Sequence, residues 1–121
     1  MKIALTSSGE TLSAPLSERF GRAPKIVVID TESSSIEVED NQAGMAAPRG
    51  AGIQAAERIA RLGVKCLVTG HCGPKAFRVL RAAGIHVFTA GSTTVGEAAQ
   101  ALQEGRLTPL EAADVDGAWA Q

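Results

Sequence analysis

A chain of 121 residues with 45% apolar and 21% charged side chains suits one domain around one hydrophobic core. Twelve basic against thirteen acidic residues leave a net charge of −1, and the only aromatics are Phe20, Phe77, Phe88 and Trp119. That balance excludes both a basic polyanion-binding domain and a stacking platform for single-stranded nucleic acid.

No apolar run approaches the length of a membrane span, and Met1–Leu5 turns polar at Thr6 before a signal-peptide core can form. Cys66 and Cys72 read as two unpaired thiols. An extended strand from Cys66 to Thr69 alone advances roughly 10 Å, beyond the ~7 Å that a disulfide spans between Cα atoms. Free thiols and the missing leader together predict a cytoplasmic protein.

In chain order, Lys2–Thr6 predicts a strand, and 7–24 a polar loop holding Gly9, Pro15, Gly21 and Pro24. The β-branched run Lys25–Asp30 predicts a second strand. Ile36 and Val38 alternate with Glu37 and Glu39, as in a third strand with one wet face. A loop from Asn41 to Gly50 follows. Ile53, Ala56, Ile59 and Ala60 then recur at helical spacing, and Gly63 ends that helix. Cys66–Val68 is short and wholly apolar, as a central parallel strand should be. Pro74 opens a helix with Phe77, Leu80 and Ala83 inward and Gly84 at its end. Ile85–Phe88 predicts the fifth strand. Thr93 or Thr94 caps a last helix with Val95, Ala98, Ala99 and Leu102 inside, closed by Gly105. Residues 1–107 form the domain in this reading, and 108–121 a loosely ordered tail to which Trp119 belongs.

The order β-β-β-α-β-α-β-α predicts a three-layer α/β/α domain. Its mixed five-stranded sheet has a ribonuclease H-like strand order of 3-2-1-4-5 as the simplest solution. The loops after strands one, three, four and five then emerge at one edge of the sheet, where open α/β sheets bind ligands. Segments 17–22, 48–52, 70–73 and 90–93 converge there. Three helix N-termini point to the same edge, each offering unpaired N–H groups to an anion. Arg19, Arg22, Arg49 and Lys75 add positive charge.

His71 and Cys72 carry the side-chain types that bind soft transition metals and iron–sulfur clusters. One such pair is too few for a closed metal site. It suffices to help hold a cluster with its own inorganic ligands. By themselves the two read more simply as a loop histidine and a buried cysteine. Likewise Lys75, Arg78 and Arg81 read as a solvated helix face, Cys66 as core and His86 as structural. The first strand has none of the carboxylates that a two-metal nuclease needs. No P-loop is present, and Gly50-Ala51-Gly52 lacks the rest of a dinucleotide fingerprint.

Four segments carry a family resemblance: Ser17-Glu18-Arg19-Phe20-Gly21-Arg22-Ala23-Pro24, Gly50-Ala51-Gly52-Ile53-Gln54-Ala55-Ala56, Gly70-His71-Cys72-Gly73-Pro74-Lys75-Ala76-Phe77 and Ala82-Ala83-Gly84-Ile85. Together they resemble the dinitrogenase iron–molybdenum cofactor biosynthesis family, small nitrogenase accessory and cofactor-carrier proteins, from Met1 to about Gly105. The resemblance implies a ribonuclease H-like fold that binds or carries, without catalysis, an iron–sulfur or molybdenum-containing cluster. Such clusters are anionic, in keeping with the edge described above. His71 and Cys72 are then the cluster contacts, with Arg19, Arg22 and Arg49 as electrostatic support. Ser17, Phe20, Gly21, Gly50, Gly52, Gly70, Gly73 and Lys75 complete the expected binding loops. The implied partners are cluster assembly or acceptor proteins, with neither nucleic acid nor membrane, for a monomer or a cluster-bridged dimer. Two other classes stay open: a regulatory or scaffold domain binding a protein or small anion at the same edge, and a thiol enzyme using Cys72.

Overall fold

The computed structural model describes residues 1–41 and 50–112. Five strands form one sheet in the order β3-β2-β1-β4-β5: β1 Lys2–Ser7, β2 Lys25–Asp30, β3 Ile36–Asp40, β4 Cys66–Thr69 and β5 His86–Thr89. β1 is antiparallel to β2, with Lys2 opposite Asp30 and Ser7 opposite Lys25, and parallel to β4, with Ile3 opposite Cys66. β2–β3 is antiparallel and β4–β5 parallel. The three-layer α/β arrangement and the strand order expected from the sequence are both present.

Alternation along the strands divides the interior in two. Ala4, Ile26, Val28, Leu67 and Val87 face helices α1 (Ala51–Ala60) and α2 (Pro74–Ala82), which supply Ala55, Ala56, Ile59, Ala76, Phe77 and Leu80. Ile3, Leu5, Val27 and Val68 face helix α3 (Val95–Gln103), which supplies Val95, Ala98 and Ala99. Each fully buried large aliphatic contributes about 1.5–3 kcal/mol relative to an exposed one. Small residues set the close approach of α1 and α2 within their layer: a Cβ on Gly52 would lie 3.3 Å from the Ala76 Cβ.

Local signals place the helix ends. Pro74 occupies the first turn of α2, where its missing N–H costs nothing. Gly63, Gly84 and Gly105 follow the three helices at φ of 75°, 78° and 72°, a region that L side chains rarely enter.

Four details differ from the sequence reading. Ile53 is half-buried while Ala51 and Ala55 are buried, so the inner face of α1 is turned by about one position. Ala83 caps α2 at the surface instead of packing inside. Ile36 and Val38 are 47% and 38% exposed, so β3 is wet on both faces. The reason is that α3 packs over β1 and β4 and leaves β3 uncovered. Finally, the chain beyond residue 107 is not loose throughout: Pro109 pairs with Phe88, and the Leu110 N–H donates to the Val87 carbonyl at 2.7 Å. Trp119 lies outside the described residues. Among those described, no helix is long and apolar enough to cross a membrane.

Candidate functional site

The C-terminal ends of β1, β3, β4 and β5 share one edge of the sheet with the start of β2, and the described parts of the expected loops, 17–22, 50–52, 70–73 and 90–93, lie there. The 8–24 segment is laid across the strand ends by backbone bonds. Ser17 N–H donates to the Thr6 carbonyl at 2.9 Å, Gly70 N–H to the Ser17 carbonyl at 3.1 Å, and Phe20 N–H to the His71 carbonyl at 3.3 Å. Arg19 and His71 run side by side as a parallel bridge. Below them the buried hydroxyls of Thr6 and Thr69 lie 2.8 Å apart, and the Thr6 Oγ1 is 3.3 Å from the Ser17 carbonyl. The Thr6 hydroxyl is the donor toward Thr69, and the Ser17 carbonyl is its second, longer acceptor.

Two glycines make this crossing possible. A Cβ on Gly70 would fall 2.4 Å from the Glu18 Cα, and one on Gly21 would fall 2.4 Å from the Gly52 nitrogen. Both contacts are with backbone, which cannot step aside as a side-chain tip can. Gly21 belongs to a 3-10 turn, Phe20–Arg22, pressed against the first turn of α1.

The predicted site residues separate into three groups. Arg19, His71 and Lys75 are exposed, and Ser17, Arg22, Gly50 and Gly52 are half-buried at the rim. Gly21, Gly70 and Gly73 are buried backbone beneath it. Phe20 and Cys72 lie in the core, 3% and 0% exposed, packed with the α1–α2 layer. A ligand resting on the loops thus meets His71 and backbone first. The Cys72 Sγ is 3.7 Å from the Gly73 carbonyl, and its side chain points inward. Arg49 lies outside the described residues.

The three helix starts at this edge are not equivalent, contrary to the sequence expectation that each offers free N–H groups. α1 and α2 begin at Gly50 and Gly73, without a side-chain cap and without an acidic residue in the first turn. The N–H groups of Ala51, Gly52, Ile53, Lys75 and Ala76 find no acceptor among the described residues. At α3 the same groups are consumed. Val95 N–H donates to the Ala14 carbonyl, Gly96 N–H to Leu12, and Glu97 N–H to the Thr94 Oγ1. The Glu97 carboxylate accepts from Thr94 N–H at 3.1 Å, a bond that holds its pKa below the usual carboxylate value.

Segment 90–93 joins the edge through Ala90 N–H to Thr69 and Leu16 N–H to Thr93, but it opens on the α3 side. There it lines a polar cavity of about 490 Å³ with Gln100 and Arg106. Asn41 was not singled out by the sequence. It is 1% exposed at the end of β3, its Nδ2 donates to the Ala23 carbonyl at 2.8 Å, and its Oδ1 has no partner among the described residues. A lone acceptor suits a donor rather than an anion, so Asn41 does not extend the anion site. No group of three or more His, Cys, Asp or Glu placed to hold a metal ion occurs among the described residues. The chemistry available is that of N–H donors, cations and one imidazole, fit for a preassembled anion rather than a bare metal ion.

Fold and edge together define a small mixed α/β protein whose loop edge carries two uncapped helix starts beside Arg19, Arg22 and Lys75. The chain belongs to the dinitrogenase iron–molybdenum cofactor family, whose model matches residues 1–105. It is 34% identical over 116 residues to an uncharacterised protein of Methanocaldococcus jannaschii, covering 92% of each chain. Among solved structures it is similar to the apo form of the orange protein of Desulfovibrio gigas, with 38% identity, a TM-score of 0.91, and 94% of this chain and 96% of that one covered. A Thermotoga protein described as NifB, solved by NMR, is also 38% identical, with a TM-score of 0.80 over 90% of this chain and 92% of its own.

Proposed function

We propose that this protein is a non-catalytic carrier that binds an anionic iron–sulfur or molybdenum–iron–sulfur cluster at the loop edge and exchanges it with cluster assembly or acceptor proteins in the cytoplasm. The observation that carries the reading is the pair of uncapped, acid-free helix starts of α1 and α2, set beside the loop bearing His71. Five N–H groups without acceptors among the described residues, the dipoles of two helices and the cations Arg19, Arg22 and Lys75 favour a multiply charged anion there. Membership of a family named for the iron–molybdenum cofactor agrees with a metallocluster as that anion.

In this reading the exposed His71 and the buried Cys72 have different parts. His71 reaches a docked cluster from the surface; Cys72 reaches one only if the 70–73 loop opens. Anaerobic titration with iron–sulfide and with thiomolybdate clusters, read by visible absorption and metal analysis, tests this. We expect stoichiometric uptake by the wild type and loss of uptake in the H71A/C72A double variant, with H71A alone accounting for most of it. Failure of both clusters to bind would remove the carrier reading in favour of a small-anion or protein-binding module.

A further inference from the structure

The two-helix layer holds positive charge that the loop edge does not account for. α1, α2 and the residue closing α1 carry Arg58, Arg61, Lys75, Arg78 and Arg81 against Glu57 alone, in a chain whose net charge is −1. On α2 the cations fall at i, i+3 and i+6, all exposed, and the helix has no acidic residue. Lys75 and Arg78 make no ion pair or hydrogen bond among the described residues. Arg81 lies 5.5 Å over the Phe77 ring and donates to the Leu110 carbonyl at 3.4 Å, and no carboxylate pairs with it among the described residues.

Arg81, in the last turn, complements the helix dipole, but Lys75 and Arg78 work against the helix that bears them. A cation in the first turn opposes the macrodipole, and like charges three residues apart repel. An anion that lies along the helix offsets both. Each step of three residues advances about 4.5 Å, so the stripe runs roughly 9 Å from Lys75, beside the His71 loop, to Arg81. A cluster seated at the edge meets Lys75 and leaves Arg78 and Arg81 to something longer. Half-buried Val79 and exposed Ala82 lie within the stripe and supply a small apolar centre. Phe77 is buried and, among the described residues, no aromatic face is exposed beside the cations to offer the stacking contacts of a nucleic-acid site.

We propose that the outer face of α2 is a docking surface for the acidic face of a partner protein, which thereby comes to lie against the loop edge. Only the partner's role in cluster transfer rests on the proposed function. The charge match itself does not. A small, charge-steered contact of this kind fits a short-lived encounter.

The test is an amide NMR titration of the full chain with 20-residue poly-L-glutamate at low and physiological salt, with a 20-base-pair DNA duplex as counter-probe. We expect shifts concentrated on residues 75–82 and at Arg61, binding weakened about tenfold or more in R78E/R81E, and less than a twofold change in R106E. R78E alone, at an exposed side chain without partners among the described residues, guards against misfolding and is expected to weaken binding at least threefold. Shifts spread evenly over the surface cations, or equal losses in R106E, overturn the proposal. So does tighter binding of DNA than of polyglutamate. Cluster uptake by R78E/R81E is expected to match the wild type, and its loss would return the stripe to the cluster site. If the wild type takes up no cluster but polyglutamate still maps to α2, the carrier function fails and the docking surface stands.

Discussion

Two loops leave neighbouring parallel strands at the same edge, and each leads into a helix, yet they are built oppositely. The β4–α2 loop, 70–73, is jammed under the 17–20 segment and delivers its helix without a cap. The β5–α3 loop, 90–94, is open around Gly91 and delivers a helix whose first turn is closed by Thr94, Glu97 and the carbonyls of Leu12 and Ala14. The first arrangement leaves donors and positive potential unspent; the second spends them locally. A shared topology therefore creates several candidate anion sites, and side-chain capping decides which of them persist.

The largest expected difference between the loops lies at their glycines. Gly70→Ala drives a Cβ into the Glu18 backbone, and overpacking that cannot relax costs about 3 kcal/mol or more. Gly91→Ala meets open space and has no positive φ to strain. Urea unfolding of the two variants should show a large drop in midpoint for the first and a near-wild-type midpoint for the second. Similar midpoints would mean that the crossing at Gly70 is not tight.

Next in size is the hydroxyl pair under the jammed loop. Thr6→Val leaves the buried Thr69 hydroxyl without its Thr6 partner and should cost about 1–3 kcal/mol, Thr69→Val leaves Thr6 the Ser17 carbonyl and should cost less, and the double variant should cost clearly less than the sum. Additive losses in a double-mutant cycle would show that the two hydroxyls are not coupled.

How much of this contrast could be read from the sequence depends on how local each cause is. The β-branched run of β2, Pro74 at the start of α2 and Thr94 before α3 all act through neighbours within four residues, and all three were legible. So was the meeting of the loops, because strand direction alone dictates it. The satisfaction of α3 by Leu12 and Ala14 was not legible, since those carbonyls arrive from more than eighty residues earlier. Phe20 reads as a ligand contact when seen among Ser17, Arg19 and Arg22. Its burial depends on the 3-10 turn folding over α1, although a lone aromatic beside Gly21 and Ala23 was a signal for an anchor. Cys72 alternates inward because the loop beneath Arg19 continues almost as a strand. The His-Cys dipeptide showed the chemistry present but not that its two members face opposite ways.

Exchanging the end charges sharpens the comparison at smaller magnitude. Lys75→Glu puts an acid in the first turn of α2 and should raise stability by about 0.5 kcal/mol while weakening uptake of an anionic cluster. Thr94→Ala removes the cap of α3 and should lower stability by about 1 kcal/mol with uptake unchanged. Thermal unfolding and cluster titration on the same samples read both. A Lys75→Glu variant that binds cluster like the wild type would detach α2 from the site.

The smallest effect is the pH dependence of the closed helix start, and its sign is fixed by the structure. Hydrogen bonds from the Thr94 backbone and side chain to Glu97 hold that carboxyl below its ordinary value in the folded protein. A carboxyl depressed on folding stabilises the native state above its unfolded pKa, about 4.3 for glutamate, and loses that contribution as pH falls through the folded value. Glu97→Gln keeps an acceptor for the Thr94 N–H but cannot titrate. Stability measured from pH 7 downward should therefore show the wild type ahead of the variant at neutral pH, with the gap closing below about pH 4.3. Asp30, lowered chiefly by its bond from the Glu32 N–H at the far edge of the sheet, titrates in both proteins and cancels from the difference. A gap that persists to low pH would assign the advantage to the shape of the glutamate rather than its charge. The contrast between the two helix starts would then be one of hydrogen bonding alone.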